Sequence, residues 1–175
     1  MIRRVVLYNL RSAYNVGAIM RTAEAFGVSE IICVGTTPFP KVVNDKRLPH
    51  EIARAEKQIE KTALGASEML IVKHAADDEG MIDILREGLT IVLEQGEGSV
   101  DLMSAASDVG DCPALTLMVG EEVHGIPREL IKRMLALDGR NKLVEIPMLG
   151  RKESLNVSVA AGVALHWFSL QKRAT

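Results

Sequence analysis

The chain has 175 residues, of which 47% are hydrophobic and 25% are charged. This length and composition suit one compact domain with a sizeable core, predicted to span residues 1–175, and they exclude a disordered chain or a fibre. The formal net charge of −2 at pH 7 neither indicates nor excludes a nucleic-acid partner, because such binding depends on local basic patches.

The N-terminus and the cysteines limit the cellular setting. Residues 1–8 contain Arg3 and Arg4 and an apolar stretch too short for a signal peptide or a membrane span. Cys33 lies in an apolar run and Cys112 precedes a proline, without the clustered spacing of metal ligands. We therefore expect a cytoplasmic protein with reduced structural thiols, no membrane contact and no bound metal.

Short β-branched or aliphatic runs alternate with segments of helical spacing along the chain. The predicted strands are residues 4–8, 30–34, 69–74, 90–94, 115–119 and 143–146. The predicted helices are residues 16–26, 51–59, 79–87, 127–137 and 156–170. Strands that are apolar throughout and alternate with helices indicate an α/β fold, with a mainly parallel sheet and helices on both faces.

A polar segment follows the first predicted strand. Asn15 is a suitable helix N-cap, and Gly17 and Arg21 then lie four residues apart on one helical face. This spacing would let the backbone approach a ligand beside a guanidinium. A capped helix with a surface arginine has the same pattern.

Two glycine-containing segments follow later strands. In the first, Gly120 and Gly125 bracket two carboxylates, of which Glu122 is predicted to orient a polar ligand or cap amides and Glu121 to be solvated. His124 is either a base or a surface residue. The segment is not a P-loop, because isoleucine and proline follow where that motif needs lysine and serine or threonine. The second segment, residues 94–99, is a turn that leaves backbone open to close approach.

The C-terminal part joins a strand, a loop and a helix start, a junction at which open α/β sheets bind ligands. The predicted strand stops at Pro147 and Gly150, and Ser154 is a suitable N-cap for the last helix. That helix is apolar almost all the way round, which predicts burial on every side. One face can pack on the sheet, and we expect the opposite face to join two copies in a homodimer.

Together these segments resemble the three motifs of the SpoU or TrmH branch of the SPOUT RNA methyltransferases. The residues that carry the resemblance are Asn9, Asn15, Gly17 and Arg21, then Gly120, Glu122, Gly125 and Ile126, then residues 146–148, Gly150 and residues 154–156. Their order, spacing and flanking strands agree over nearly the whole chain.

The resemblance implies a deep C-terminal trefoil knot, the α/β-knot of the SPOUT class, and an obligate dimer. It also implies S-adenosylmethionine as cofactor and RNA as partner, with methyl transfer to a ribose 2′-hydroxyl of tRNA or rRNA. The implied catalytic residues are Arg21, Asn15, Glu122, Ser154 and Asn156. The implied cofactor site is formed by Glu94, Gln95, Gly96, Val119, Gly120, Gly125, Ile146, Met148, Ser154 and Leu155.

RNA contacts are expected from polar and basic side chains. The candidates are Asn9, Arg11, Arg21, Lys46, Arg47 and Arg151, with Lys41 and Lys152 as further cations. Aromatic residues make up only 3% of the chain, which indicates no stacking platform for single-stranded RNA.

Three other functions remain open at the level of sequence. Methylation of a base nitrogen would use a related fold, although the Ser154 to Asn156 triplet together with Glu122 favours ribose. A non-catalytic RNA-binding or assembly protein would be expected to lack Arg21, Glu122 or Asn156, and all three are present. A generic nucleotide-binding α/β domain would be expected to carry phosphate motifs that are missing.

Overall fold

A parallel sheet organises the chain. The computed structural model describes residues 2–86, 88–109 and 114–171. Within these ranges the strands are β1 (Ile2–Tyr8), β2 (Glu30–Val34), β3 (Ile71–Ala75), β4 (Leu89–Leu93), β5 (Val100–Asp101), β6 (Leu115–Val119) and β7 (Lys142–Glu145). Their spatial order is β3-β2-β1-β6-β4-β7-β5, and all the named pairings are parallel. The predicted α/β sheet is confirmed, and only the two-residue β5 was not predicted.

Helices connect the strands. They are α1 (Ala13–Ala25), α2 (Pro49–Ala63), α3 (Ala66–Met69), α4 (Asp78–Leu85), α5 (Leu102–Val109), α6 (Arg128–Leu137) and α7 (Val157–Gln171). The sequence did not predict the short α3 or α5. The predicted helix 79–87 ends earlier, at Leu85, and residue 87 lies outside the described residues.

Helices cover both faces of the sheet, as predicted. α1, α2, α5 and α7 pack on one face, against strand residues such as Leu7 and Leu117. α4 and α6 pack on the other face, against residues such as Val6 and Met118. Because adjacent strand residues point to opposite buried faces, the strands are apolar without alternation.

Cys33 lies on β2 and is fully buried. Burial raises the pKa of its thiol to about 12, so the thiol stays protonated and unreactive at neutral pH. Cys112 lies outside the described residues.

Two helices start at positions other than those predicted. Ser12, and not Asn15, caps α1, because the Ser12 hydroxyl accepts the Asn15 backbone N–H at 3.3 Å. Asn156, and not Ser154, precedes α7, and its Oδ1 accepts the Ser158 N–H at 2.9 Å. The observed capping residue comes before the predicted one in α1 and after it in α7. Propensity alone therefore did not identify which side chain reaches the first turn.

Gly17 serves helix packing and not ligand approach. A Cβ at this position would lie 2.2 Å from the Ile59 carbonyl oxygen and 3.0 Å from the Ala63 nitrogen, both on α2. The Thr62 hydroxyl also donates to the Tyr14 carbonyl at 2.9 Å. The glycine therefore lets α1 and α2 cross at backbone contact distance.

The last helix is not buried on every side in a single copy of the chain. Its inner face includes Ala161, Leu165 and Phe168, which are nearly inaccessible to solvent. Its outer face leaves Val159 and Val163 about half exposed, at 50% and 40%. Across the described residues, no helix has both the length and the apolarity needed to cross a bilayer.

Candidate functional site

The chain changes direction across the sheet between two neighbouring strands, β1 and β6. α1 follows β1 on one face, whereas α6 follows β6 on the opposite face. Such a switch point opens a crevice at the carboxyl ends of the strands, where open parallel sheets bind ligands. Because β4 and β7 are the next strands along, the loops after four neighbouring strands meet there.

A cavity of about 590 Å³ lies at this edge of the sheet. This is within the range of roughly 300–1,000 Å³ that is typical of small-molecule sites. Its walls come from the ends of β4, β6 and β7, the loops that follow them and the first turn of α7. The lining residues are Leu93, Glu94, Gln95, Val119, Gly120, Glu121, Glu122, Val123, His124, Gly125, Glu145, Ile146, Met148, Glu153, Ser154, Leu155, Asn156, Val157 and Ala160.

Glu122 joins the loop after β6 to the start of α1. Its carboxylate accepts the Arg11 N–H at 3.0 Å, the Ser12 N–H at 3.2 Å and the Asn15 side-chain amide at 2.9 Å. Burial alone would raise the pKa of Glu122, but the hydrogen bonds from Arg11, Asn15 and Ser12 outweigh it and lower the pKa. The group is therefore an ionised acceptor at neutral pH.

Asn15 extends this contact to the last helix. While its amide nitrogen donates to Glu122, its Oδ1 accepts the Asn156 side-chain amide at 3.3 Å. Asn156 Oδ1 in turn accepts the hydroxyl of Ser158 at 2.6 Å. One continuous hydrogen-bonded chain thus links the loop after β6, the first turn of α1 and the first turn of α7.

The loop after β4 holds the loop after β6 from the other side. The Glu94 carboxylate accepts the Ile126 N–H at 3.1 Å. A Cβ on Gly125 would lie 2.2 Å from Glu94 Oε2, and Gly125 has a φ of +65°, a conformation that favours glycine. Gly120 is also tightly packed, since a Cβ there would lie 2.5 Å from the Ile126 side chain and 2.8 Å from the Gly125 carbonyl carbon. These glycines allow the two loops to close over the cavity.

The prediction that Glu121 is solvated is wrong. Its side chain is only 8% exposed. Oε1 lies 2.7 Å from Arg11 Nε and forms an ion pair with it, although this contact does not have the geometry of a hydrogen bond. Oε2 accepts the His124 N–H, and Glu121 and Gly125 form an antiparallel bridge. Glu121 therefore shapes the loop that presents Glu122.

The cavity is acidic. Five of the described lining residues are carboxylates, none is a lysine or arginine, and the remaining wall is largely apolar; the carboxylates are Glu94, Glu121, Glu122, Glu145 and Glu153. Such a site favours a ligand with a positive charge and an apolar ring over a phosphorylated one. Among the residues that the structure describes, no three potential ligands gather to hold a metal ion.

The residues predicted for the cofactor come together here, with one exception. Every member of that set except Gly96 lines the cavity. Gly96 lies in the loop after β4, with open space around its Cβ position and a φ of +156°. It shapes the turn.

The residues predicted for catalysis divide into two groups. Glu122, Ser154 and Asn156 line the cavity, and Asn15 bonds to two of them. Arg21 is exposed on α1 and does not line the cavity of its own chain.

The residues predicted for RNA lie in different settings. Lys46 and Arg151 are exposed, and Arg11 pairs with Glu121. The Arg47 side chain is used internally, since it binds Asp45 at 2.6 Å and covers the Phe39 ring at 3.5 Å from the centroid. Its hydrogen bonds hold the pKa of Asp45 well below the usual range.

Asn9 also has an internal role. Its Oδ1 accepts the Thr36 N–H at 3.0 Å, and its φ is +52°. A Cβ on Gly35 would lie 2.1 Å from the same Oδ1. Asn9 therefore fastens the loop after β1 to the loop after β2.

Two contributors to the site were not predicted from the sequence. Ser12 caps α1 and presents a backbone N–H to Glu122, and its position three residues before Asn15 is a signal for a cap. Glu145 lines the cavity at the end of β7. The sequence signal that could have identified Glu145 is its position as an acidic residue at the carboxyl end of an apolar strand.

Comparisons with known proteins agree with this geometry. The model of the SpoU rRNA Methylase family matches residues 3–166. The chain is 29% identical to a 23S rRNA (adenosine(1067)-2'-O)-methyltransferase of Streptomyces azureus, over 93% of this chain and 52% of that protein. It is 30% identical to the 23S rRNA (guanosine-2'-O-)-methyltransferase RlmB of Coxiella burnetii, over 97% of this chain and 59% of that protein.

A solved structure is similar over the same range. The crystal structure of an AdoMet-bound rRNA methyltransferase from Sinorhizobium meliloti superposes with a TM-score of 0.70 and 27% identity. The alignment covers 98% of this chain and 56% of that one. The chain spans about half the length of the curated relatives reported above.

Proposed function

Because the chain belongs to the SpoU rRNA methylase family, we propose that it is an S-adenosylmethionine-dependent methyltransferase that acts on a ribose 2′-hydroxyl of tRNA or rRNA. Residues 1–175 would form one such catalytic domain. The observation that carries this proposal is the hydrogen-bonded chain from Glu122 through Asn15 to Asn156, because it brings the three motif segments together at the mouth of the cavity.

The cavity fits S-adenosylmethionine chemically. The ligand would supply an electrophilic methyl on a cationic sulfur. The surrounding carboxylates favour that positive charge, and Ile146, Met148 and Leu155 offer apolar cover for an adenine ring. The glycines at 120 and 125 leave backbone within reach of the ring edge, where main-chain donors and acceptors can read it.

Methyl transfer to a hydroxyl depends mainly on alignment. Positioning the attacking oxygen in line with the methyl can supply on the order of 7–11 kcal/mol, more than a single acid or base contributes. Ser154 and Asn156 line the cavity and are assigned to orient the reacting sugar, and Asn15 bonds to Asn156. Glu122 keeps the loop and α1 in contact, with its low pKa making it a poor base.

Arg21 is assigned to the RNA phosphate and the developing alkoxide. A guanidinium keeps its proton in proteins, so Arg21 would act as a bidentate donor to these groups and would not remove the hydroxyl proton. Arg21 is exposed and lies two turns along α1 from the cavity rim. It would therefore serve the site of a partner subunit.

The dimer required for that role would form through the outer face of α7. Val159, Val163 and Leu170 recur at helical spacing there and are 40% to 50% exposed. Burying such a stripe against a second copy removes apolar surface from water. The inner face of the same helix is already packed on its own sheet.

The C-terminal trefoil knot also belongs to this proposal. Since β7 lies between β4 and β5, the connection between those two strands passes across the carboxyl end of β7. Gln95 in that connection donates to the Glu153 carbonyl at 2.7 Å, and Ser99 donates to the Glu145 carboxylate. These contacts on both sides of residues 146–152 support a chain that threads beneath the connection.

The test is incubation of the purified chain with methyl-labelled S-adenosylmethionine and total RNA, followed by digestion to nucleosides. We expect label in 2′-O-methylnucleosides. Label in a methylated base would instead identify the base-nitrogen activity, and RNA binding without any label would identify a non-catalytic protein.

Arg21→Lys provides the matched variant. Lysine keeps the charge but loses the paired donors, so we expect turnover to fall about 100-fold, as when one transition-state donor is removed. S-adenosylmethionine binding should be unchanged. Near-wild-type turnover would contradict the bidentate role.

A further inference from the structure

One aromatic ring of the chain is exposed beside the site. Tyr14, in the first turn of α1, is 48% exposed. The other aromatic side chains, Tyr8, Phe26, Phe39, Trp167 and Phe168, are buried or half-buried. Tyr14 is therefore the most exposed of these rings.

The position of Tyr14 is tied to the site through its backbone. Its neighbour Asn15 bonds to both Glu122 and Asn156 at the cavity mouth. The Tyr14 carbonyl accepts the Thr62 hydroxyl of α2 at 2.9 Å. The ring is thus carried on a fixed turn of helix next to the residues proposed to hold the reacting sugar.

Two exposed cations lie near the ring. Lys61 Nζ is 3.3 Å from the Tyr14 hydroxyl and 5.6 Å from the ring centroid. The ammonium is therefore nearer the hydroxyl end of the ring than its centre. Arg21 lies seven residues further along the same outward face of α1, about two turns or roughly 10 Å away.

An exposed aromatic ring near cations matches the chemistry of single-stranded RNA. Bases stack on such rings whatever their identity, while phosphates on either side pair with lysine and arginine. Lys61 is engaged by no carboxylate among the described residues, so it is available for a phosphate.

We propose that Tyr14 is a stacking platform for an unpaired base that flanks the methylated nucleotide, with Lys61 holding the adjacent phosphate. This inference rests on the proposed function and names the form of RNA that the site takes. Tyr14 touches the flanking base and not the reacting atoms, so it is a residue for substrate binding and not for catalysis.

The experiment compares Tyr14→Leu with Tyr14→Phe. The probes are a short fluorescein-labelled oligoadenylate and an RNA duplex of the same length, titrated by fluorescence anisotropy. We expect Tyr14→Leu to bind the single strand about tenfold more weakly, as expected for the loss of one base stack. Tyr14→Phe keeps the ring and should bind within about twofold of wild type, and duplex binding should be alike in all three proteins.

Other results would overturn the platform. They are wild-type affinity of Tyr14→Leu for the single strand, an equal loss in Tyr14→Phe, an equal loss on the duplex, or a change of oligomeric state in sizing experiments. S-adenosylmethionine binding and methylation by the wild-type chain are measured in parallel. If wild type methylates RNA and Tyr14→Leu binds normally, only the platform fails; if wild type neither binds the cofactor nor methylates, the proposed function fails.

Discussion

Glu122 works as a fixed acceptor at the scale of single residues. Three N–H groups of the segment 11–15 converge on its carboxylate. A lowered pKa makes a carboxylate a weaker base and a more persistent hydrogen-bond acceptor. Glu122 is therefore expected to stabilise the arrangement of the site, and its removal should change that geometry.

Glu122→Gln tests that role. Glutamine keeps the size of the side chain, but its NH₂ group would face N–H donors that the carboxylate accepts. We expect the unfolding free energy to fall by about 1 kcal/mol at pH 7, a small loss because the site is partly exposed. The difference in unfolding free energy between wild type and variant should be complete above pH 4.5, the ordinary pKa of the group. It should disappear as the pH falls through the lowered pKa of the folded state. Urea unfolding across this range measures it; a difference between the two proteins that stays constant down to acid pH would contradict the assignment.

Asn156 combines two functions that substitutions can separate. Asn156→Asp keeps the acceptor for the Ser158 N–H but loses the donor to Asn15, so we expect wild-type stability with methyl transfer reduced at least tenfold. Asn156→Ala loses both contacts and should also lose about 1 kcal/mol of stability through the missing cap. Thermal unfolding and turnover are measured on each variant. Equal effects of the two changes would mean that the cap is the whole role.

At the scale of elements, α7 has three separate surfaces. Its first turn lines the cavity, its inner face packs on the sheet, and its outer face exposes a stripe that includes Val159 and Val163. The sequence predicted one face on the sheet and an opposite face towards a second copy, but not which residues form each surface. The separation of the helix into three surfaces depends on which neighbours the fold supplies.

Val163→Glu tests the outer surface. A charge in a buried apolar interface is costly, so we expect the variant to be a folded monomer that binds the cofactor but methylates RNA poorly, because Arg21 could no longer reach a partner site. Light scattering with size exclusion measures the mass. Val43→Glu adds the same charge at a position that is 90% exposed, and it should leave the dimer intact. A wild-type monomer at working concentrations would remove the basis for the dimer.

At the scale of the whole molecule, the cavity is made by the ends of three neighbouring strands with the loops that follow them and by the start of α7. Its ligand should therefore stabilise the whole fold, by about 3 kcal/mol at ~100 times the dissociation constant. We expect the unfolding temperature to rise with S-adenosylhomocysteine, the demethylated product of the proposed cofactor, in calorimetry.

A glycine pair provides the control for that experiment. A Cβ on Gly120 would lie 2.8 Å from the Gly125 carbonyl carbon, whereas one on Gly139 would meet open space. Gly120→Ala should therefore displace the loop and abolish the thermal shift, and Gly139→Ala should keep it. A full shift in Gly120→Ala would argue that the ligand binds elsewhere.

Local patterns in the sequence predicted the alternation of strands and helices and the parallel sheet, since apolar runs and glycines at strand ends are readable within a short window. Most of the residues around the cavity were implied by the resemblance to the SpoU or TrmH methyltransferases. Cap positions were less certain, because Ser12 and Asn15 both have suitable side chains, as do Ser154 and Asn156. Which of each pair reaches the first turn depends on backbone geometry.

What those residues touch depends on the tertiary structure. Glu122 and Asn15 are 107 positions apart, and Asn15 and Asn156 are 141 apart, so no local pattern links them. The same holds for Glu121, which pairs with Arg11 instead of meeting solvent, and for Gly17, which packs against α2 instead of a ligand. Tyr14 is exposed for the same reason. Propensity acts between neighbours along the chain, whereas exposure and pairing are set by which distant elements the fold brings into contact.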